Sequence, residues 1–121
     1  MNRIERPTTL RSAADLVAQG LAEPGEQAAL ERVAQRYAVA VTTHLADLID
    51  TSDPDDPIAR QFVPSADELK AAPGERGDPI GDDAHAPVPG IVHRYPDRVL
   101  LKLVHVCAVY CRFCFRREMV G

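Results

Sequence analysis

The chain has 121 residues, a length that can bury one modest core, and it carries a formal net charge of -4 at pH 7. This mildly acidic balance does not favour nucleic acid or an anionic membrane as a partner. No apolar run approaches the roughly 20 residues of a membrane span, and residues 1–7 lack the apolar core of a secretory signal. The default expectation is therefore a cytoplasmic protein that contacts neither nucleic acid nor membrane.

The first 50 residues predict three short helices. Apolar residues recur at helical spacing from Thr9 to Gln19, and Gly20 can end that helix. A second stripe contains Leu30, Val33, Ala34, Tyr37 and Val41. A third helix carries Leu45, Leu48 and Ile49, with Thr42 or Thr43 as its cap. Short helices gain most of their stability from tertiary contacts, so these stripes are expected to pack together as a scaffold.

Residues 50–74 predict mostly loop. The acidic, proline-containing run at residues 50–57 lacks the ligand spacing of a calcium loop and predicts a solvated turn. Phe62 and Val63 are expected to anchor this stretch to the core. Ser65 and Glu68 have the form of a capping box, which predicts a short helix over residues 66–71.

The second half predicts a wrapping segment followed by two strands. Residues 75–90 are rich in Gly, Pro and Asp and are expected to wrap over neighbouring structure. Residues 91–94 and Val99–Val104 flank a turn with Pro96 at its second position. The second run is almost continuously apolar, which predicts a strand buried on both faces of a parallel sheet.

All three cysteines follow this strand in the loop Cys107-Ala-Val-Tyr-Cys111-Arg-Phe-Cys114. Thiolates are the ligands of iron–sulfur cubanes, and this short spacing lets a loop curl around one cube while one iron keeps no protein ligand. The odd cysteine count argues against a structural disulfide. A zinc site needs four ligands, so a histidine such as His105 or His93 would have to complete it. The bacterial ferredoxin spacing does not fit this loop.

The Cys-x3-Cys-x2-Cys spacing, with Phe113 before the last cysteine, resembles the cluster motif of radical S-adenosylmethionine (SAM) enzymes. The stretches Asp78-Pro-Ile-Gly-Asp-Asp, Pro87-Val-Pro-Gly and His93-Arg-Tyr-Pro-Asp-Arg stand in register before it. With them, the sequence from Asp78 onward resembles the lysine 2,3-aminomutase family, and the resemblance is looser over the N-terminal half. Members of that family are several times longer, so the chain is expected to be an N-terminal fragment that ends just after the cysteine motif.

This resemblance implies an α/β fold in two parts. Residues 1–74 form an N-terminal helical region. Residues 75–121 form the Pro/Gly-rich wrap and the start of a truncated radical SAM partial (β/α) barrel, consisting of its first strand and the cluster loop. That placement agrees with reactive groups lying at the carboxyl ends of barrel strands.

The resemblance also implies a function for the full-length protein. It would be a radical SAM aminomutase that depends on pyridoxal 5'-phosphate (PLP) and moves an amino group from the α to the β carbon of lysine or a related amino acid. Its cofactors would be a [4Fe-4S] cluster, SAM and PLP, with an electron donor such as flavodoxin or ferredoxin, and a homo-oligomer is compatible with this. The PLP lysine would lie outside this chain, so the chain alone is expected to be inactive.

Site residues carry over from the family motif residue by residue. Cys107, Cys111 and Cys114 would hold the cluster, Phe113 would contact SAM, and Arg116 would bind the carboxylate of the substrate; no catalytic residue is assigned. Phe115 stands where the family usually has threonine, which leaves the substrate open. The alternatives are a glutamate 2,3-aminomutase, the enzyme that supplies β-lysine for elongation factor P, a zinc-binding interaction module, or a helical scaffold with an unoccupied cysteine loop.

Overall fold

The computed structural model describes residues 8–120, and this part of the chain consists of short helices and strands joined by long loops. The elements are β1 (Thr9–Leu10), α1 (Ala13–Ala18), α2 (Gln27–Arg36), β2 (Val41–Thr42), α3 (Thr43–Leu48), α4 (Pro57–Phe62), β3 (Ile91–Tyr95) and β4 (Arg98–Leu101). Single 3-10 turns lie at Pro24–Glu26, Ala66–Leu69 and Asp83–His85. None of the helices within residues 8–120 has the length and apolar character needed to cross a membrane. The expectation that residues 1–7 lack a secretory signal lies outside the described residues.

The first helix begins later than its apolar stripe predicts. Ser12 is the N-cap of α1, and its hydroxyl accepts a hydrogen bond from the Asp15 backbone N–H at 3.1 Å while the Asp15 carboxylate accepts one from the Ser12 N–H at 3.1 Å. This reciprocal capping box fixes the helix start. The predicted start at Thr9 is wrong, because Thr9 and Leu10 pair antiparallel with Thr42 and Val41 instead.

The second helix ends at Arg36, and the third is capped as predicted. Tyr37 has extended backbone angles and is the C-cap of α2, so Val41 belongs to β2 and not to the second helix as predicted. Val41 is nevertheless fully buried, since the strand directs it into the same core. The Thr42 hydroxyl accepts a hydrogen bond from the Leu45 N–H at 3.3 Å, which confirms the predicted cap of α3.

A fourth helix, α4, occupies part of the stretch predicted as loop. The Asp56 carboxylate accepts hydrogen bonds from the backbone N–H groups of Ile58 and Ala59 at 2.9 and 2.8 Å, and Pro57 occupies the first helical position. Both are favourable signals for a helix start. Phe62 packs against the core, which confirms its predicted role as an anchor.

The capping box of Ser65 and Glu68 is present as predicted. The helix it starts is one 3-10 turn, Ala66–Leu69, and so ends before the predicted residue 71.

The core has two parts. The first lies between β1, α1, α2 and β2 and consists of Leu10, Ala13, Leu16, Leu30, Val39 and Val41. The second lies on the other side of α2 and consists of Val33, Tyr37, Ala40 and Tyr110. Tyr110 comes from the cysteine loop, so that loop is part of the packed structure. The predicted helical scaffold therefore forms and receives a residue from the far end of the chain.

The strand predicted to be buried on both faces is instead one arm of an exposed hairpin. β3 and β4 pair antiparallel, with Ile91 opposite Leu101 and Val92 opposite Leu100. Leu100 and Leu101 are 41% and 58% exposed, and residues 102–106 lie outside any strand. The prediction of a buried parallel strand at 99–104 is wrong here, because a tight turn joins the two strands and such a connection permits only antiparallel pairing.

In fold class, the described chain is a small α/β domain with two two-stranded antiparallel sheets. The predicted division between residues 74 and 75 stays a prediction. Hydrogen bonds do cross that point, from the Tyr110 N–H to the Ala40 carbonyl at 3.0 Å and from the Arg112 N–H to the Gln61 carbonyl at 2.7 Å.

Leu16 on α1 and Leu48 on α3 test which leucines belong to the core. Leu16 is fully buried in the first core cluster, whereas Leu48 on α3 is half exposed. We expect Leu16→Ala to lower the free energy of unfolding by about 3 kcal/mol, because it removes buried methyl groups and leaves a cavity. Leu48→Ala should cost less than about 1 kcal/mol. Urea denaturation followed by circular dichroism measures both, and equal losses would contradict this core assignment.

Candidate functional site

The cysteine loop has no helix or strand, and burial alternates along it. Cys107 and Cys111 are exposed and Cys114 is half-buried, whereas Tyr110 and Arg112 between them are buried. None of the three thiols is in a disulfide. Tyr110 and Arg112 therefore point into the protein while the first two cysteines point outward.

Tyr110 is the first anchor of this loop. Its ring packs in the second core cluster with Val33 and Tyr37, and its hydroxyl donates a hydrogen bond to the Arg117 carbonyl at 2.7 Å. Burial raises the pKa of Tyr110 to about 12. The phenol is therefore neutral at physiological pH, and it ties the middle of the loop to the segment after the last cysteine.

Arg112 is the second anchor, and its guanidinium is almost completely buried. Its Nη2 and Nε donate to the Glu68 carboxylate at 2.7 and 3.1 Å, and its Nη1 donates to the Ala38 carbonyl at 2.6 Å. Its guanidinium also lies over the Tyr110 ring, 4.9 Å from the centroid. A buried charge is tolerated only when it is paired and hydrogen-bonded, and Arg112 meets both conditions.

The three thiols do not yet form a closed metal site. Within residues 8–120, no group of three His, Cys, Asp or Glu side chains converges to hold a metal ion. The Cys114 Sγ accepts a hydrogen bond from the Arg116 backbone N–H at 3.4 Å, a kind of contact that tunes iron–sulfur ligands. Any metal or cluster that binds here would have to draw the thiols together.

A groove of about 600 Å³ lies beside the last cysteine. Its lining includes Phe113, Cys114 and Gly77. Phe113 is 79% exposed, so its ring is available to a ligand. The structure therefore brings the residue predicted to contact SAM and one predicted cluster ligand onto the same groove, while their roles stay predictions.

Arg116, the predicted carboxylate-binding residue, is held by an acid that the sequence analysis did not single out. Its Nε donates to Asp82 Oδ2 at 2.9 Å, and the Nη2 of Arg94 donates to Asp82 Oδ1 at 2.8 Å. Asp82 is 1% exposed. The hydrogen bond from Arg94, joined by Arg116, holds the pKa of Asp82 below its ordinary value despite burial, which acts in the opposite direction.

Asp82 was missed because it stands in a Gly-, Pro- and Asp-rich loop whose composition predicts a wrapping segment but no particular site residue. The neighbouring Asp78 carboxylate accepts hydrogen bonds from the backbone N–H groups of Asp82 and Asp83 at 2.8 and 2.9 Å, which folds this loop back on itself. The Asp-Pro pair at residues 78–79 is a sequence signal for a turn, but it does not indicate which of the following acids is buried.

Comparison with known proteins identifies the relatives of this chain. No protein-family model matches it. Over 120 residues, which are 99% of the chain, it is 38% identical to the L-lysine 2,3-aminomutase of Clostridium subterminale and 39% identical to that of Acetoanaerobium sticklandii. Over 82 residues it is 43% identical to the L-lysine 2,3-aminomutase of Escherichia coli.

These relatives are much longer than the chain, which spans 27% and 28% of the first two. Because the similarity extends over almost the whole chain, the chain corresponds to part of an aminomutase sequence. The chain belongs to the L-lysine 2,3-aminomutase family, and the predicted family is confirmed.

The Arg112–Glu68 pair predicts a large effect on stability. Removing one partner of a buried ion pair leaves an uncompensated charge, so we expect Glu68→Ala to lower the free energy of unfolding by about 3 kcal/mol. Asp67→Ala is the matched control, because Asp67 lies in the same 3-10 turn and its ion pair with Lys70 is exposed. That variant should lose under about 1 kcal/mol by the same denaturation assay. Equal losses in the two variants would show that the buried pair is not an anchor.

The ion pairs of Asp82 predict a dependence of stability on pH. Because its pKa is lowered in the folded protein, Asp82 contributes stability that is fully present above its unfolded pKa of about 3.9 and is lost as pH falls through the lower folded value. We expect Asp82→Asn to be less stable than wild type near neutral pH and to lose less further stability below about pH 4. Thermal denaturation over this range measures both, and a variant with the wild-type acid profile would contradict the assignment.

Proposed function

We propose that the protein carrying this sequence is an aminomutase that moves an amino group from the α to the β carbon of lysine or a related amino acid. We propose further that its cysteine loop holds a [4Fe-4S] cluster to which SAM binds. The names of the relatives support the first part. The observation that carries the second part is the presence of three free thiols on one loop, in which the middle cysteine, Cys111, is exposed between two buried anchors, Tyr110 and Arg112.

The donor set fits such a cluster. Three thiolates can serve three irons of a cubane and leave the fourth iron open to another ligand. A structural zinc site requires a fourth protein ligand. His105 and His93, the candidates for it, lie before the loop that holds the three cysteines. The chemistry of the loop therefore favours the cluster over zinc.

The residues of the chain then have separable roles. Cys107, Cys111 and Cys114 would hold the cluster, and the exposed ring of Phe113 would stack on the adenine of SAM. Arg116 would bind the carboxylate of the amino acid. When bound, the cluster, SAM and PLP supply the radical and amino-transfer chemistry, while the protein orients and shields the reactants.

We also infer what surrounds this part of the chain in the working enzyme. The exposed apolar side chains of Val99, Leu100 and Leu101 would be covered by further parts of a partial (β/α) barrel. PLP would be held outside these residues. An electron donor such as flavodoxin or ferredoxin would reduce the cluster, and the cytoplasm is the proposed compartment because it keeps thiols reduced.

Anaerobic reconstitution of the whole protein with iron and sulfide tests the cluster. We expect about four irons per chain and a broad brown absorption, with SAM altering the electron paramagnetic resonance signal of the reduced cluster. Serine at any one of Cys107, Cys111 or Cys114 should sharply lower the iron content, because it removes a thiolate ligand. His105→Ala is the control and should retain full iron content.

Two results would overturn this proposal. Iron content that is unchanged in all three serine variants would show that the loop does not hold the cluster. Tight zinc uptake without a chromophore, weakened by His105→Ala, would identify a zinc-binding interaction module instead. Conversion of L-lysine to β-lysine by the reconstituted protein, compared with conversion of L-glutamate, would then select the substrate.

A further inference from the structure

Asp82 joins three segments that are distant in the sequence. It lies in the loop that follows Asp78, it accepts a hydrogen bond from Arg94 on β3, and it accepts another from Arg116, two residues after the last cysteine. Arg94 is held a second time, by the Ile80 carbonyl. The position of Asp82 is thus fixed from both sides, and it is almost inaccessible to water.

Asp82 engages Arg116 through one particular nitrogen. A guanidinium has five N–H donors, one on Nε and four on the two terminal nitrogens. Asp82 accepts from Nε. Among residues 8–120, no side chain or backbone carbonyl accepts from the two terminal nitrogens of Arg116. The edge that suits a two-point contact with a carboxylate is therefore open.

This guanidinium also contacts an aromatic ring. Arg116 lies over the ring of Phe115, with 4.5 Å between the guanidinium carbon and the ring centroid. The Arg116 side chain is 27% exposed, and its Nε edge, called here its inner edge, faces Asp82. One buried acid and one aromatic ring therefore restrict the movement of the group.

We propose that Asp82 is a positioning residue that holds Arg116 by its inner edge and so directs its terminal nitrogens at the α-carboxylate of the amino acid substrate. This inference rests on the proposed function, which assigns the carboxylate to Arg116. Without the acid, the long arginine side chain would rotate among several conformers, and binding would then have to order it. The loss should therefore appear in binding of the carboxylate and not in loading of the cluster.

The test compares amino acids with their α-amides. Calorimetric binding of L-lysine and of L-lysinamide is measured on the whole reconstituted protein, with L-glutamate and isoglutamine as the parallel pair. The effect is followed with whichever of the two amino acids the wild-type protein binds more tightly. We expect Asp82→Asn to bind it about tenfold more weakly, a loss close to that of one charge-assisted hydrogen bond. The affinity for its α-amide and the iron content should be unchanged. Arg116→Gln should show the same selective loss.

Asp83→Asn is the matched control. It removes the same charge from the adjacent residue, whose exposed side chain takes part in no ion pair within the described part of the chain. We expect this variant to bind both members of each pair as wild type does. A selective tenfold loss in Asp83→Asn as well would assign the effect to local charge and overturn the positioning role.

The remaining outcomes separate this inference from the proposed function. Wild-type affinity for the amino acid in a folded Asp82→Asn overturns the role of Asp82, while iron loading and selectivity for the acid over its amide keep the proposed function intact. A wild-type protein that does not distinguish acid from amide overturns both the assignment to Arg116 and this inference. Where Asp82→Asn does not fold, Asp82→Glu replaces it; its longer side chain displaces Arg116, and unaltered affinity there would also overturn the proposal.

Discussion

The buried ion pair between Arg112 and Glu68 is the interaction on which the rest of the site depends. A guanidinium in the protein interior is stable only if its donors are satisfied, and here a carboxylate, a backbone carbonyl and an aromatic ring surround it. Arg112 follows Cys111 directly, so its fixed inward direction places that cysteine outward. Tyr110 fixes the residue on the other side of Cys111. The outward direction of this thiol is therefore a consequence of what is buried beside it.

Glu68 makes one contact that the sequence predicts and one that it does not. Its role in the capping box with Ser65 depends on residues three positions apart and is predicted correctly, as is the cap of α3 by Thr42. The same carboxylate also binds Arg112, 44 positions later, and no local pattern indicates that pair. The family and its cysteine motif are visible in the sequence. The two acids that bind the arginines around that motif, Glu68 and Asp82, are not, because their pairing depends on segments distant in the chain.

The hairpin illustrates a different kind of error. The apolar run after Arg98 was interpreted by its composition, which indicates that those side chains favour burial but not which residues bury them. The short turn at Pro96 and Asp97 was the better signal, because it requires that β3 and β4 run antiparallel. Within residues 8–120 all four residues of β4 stay exposed. The chain spans only about a quarter of the length of the relatives it matches.

The two arginines that flank Cys114 differ in a way that separates support from recognition. All three nitrogens of Arg112 donate to protein acceptors and the side chain is buried, so this guanidinium serves the fold. Arg116 uses only Nε on a protein acceptor within the described residues and is partly exposed. Both are paired with a carboxylate, and charge alone would not distinguish them. The nitrogens that donate to the protein do distinguish them. All three nitrogens of Arg112 bind protein acceptors, whereas Arg116 keeps the edge by which a guanidinium binds a carboxylate.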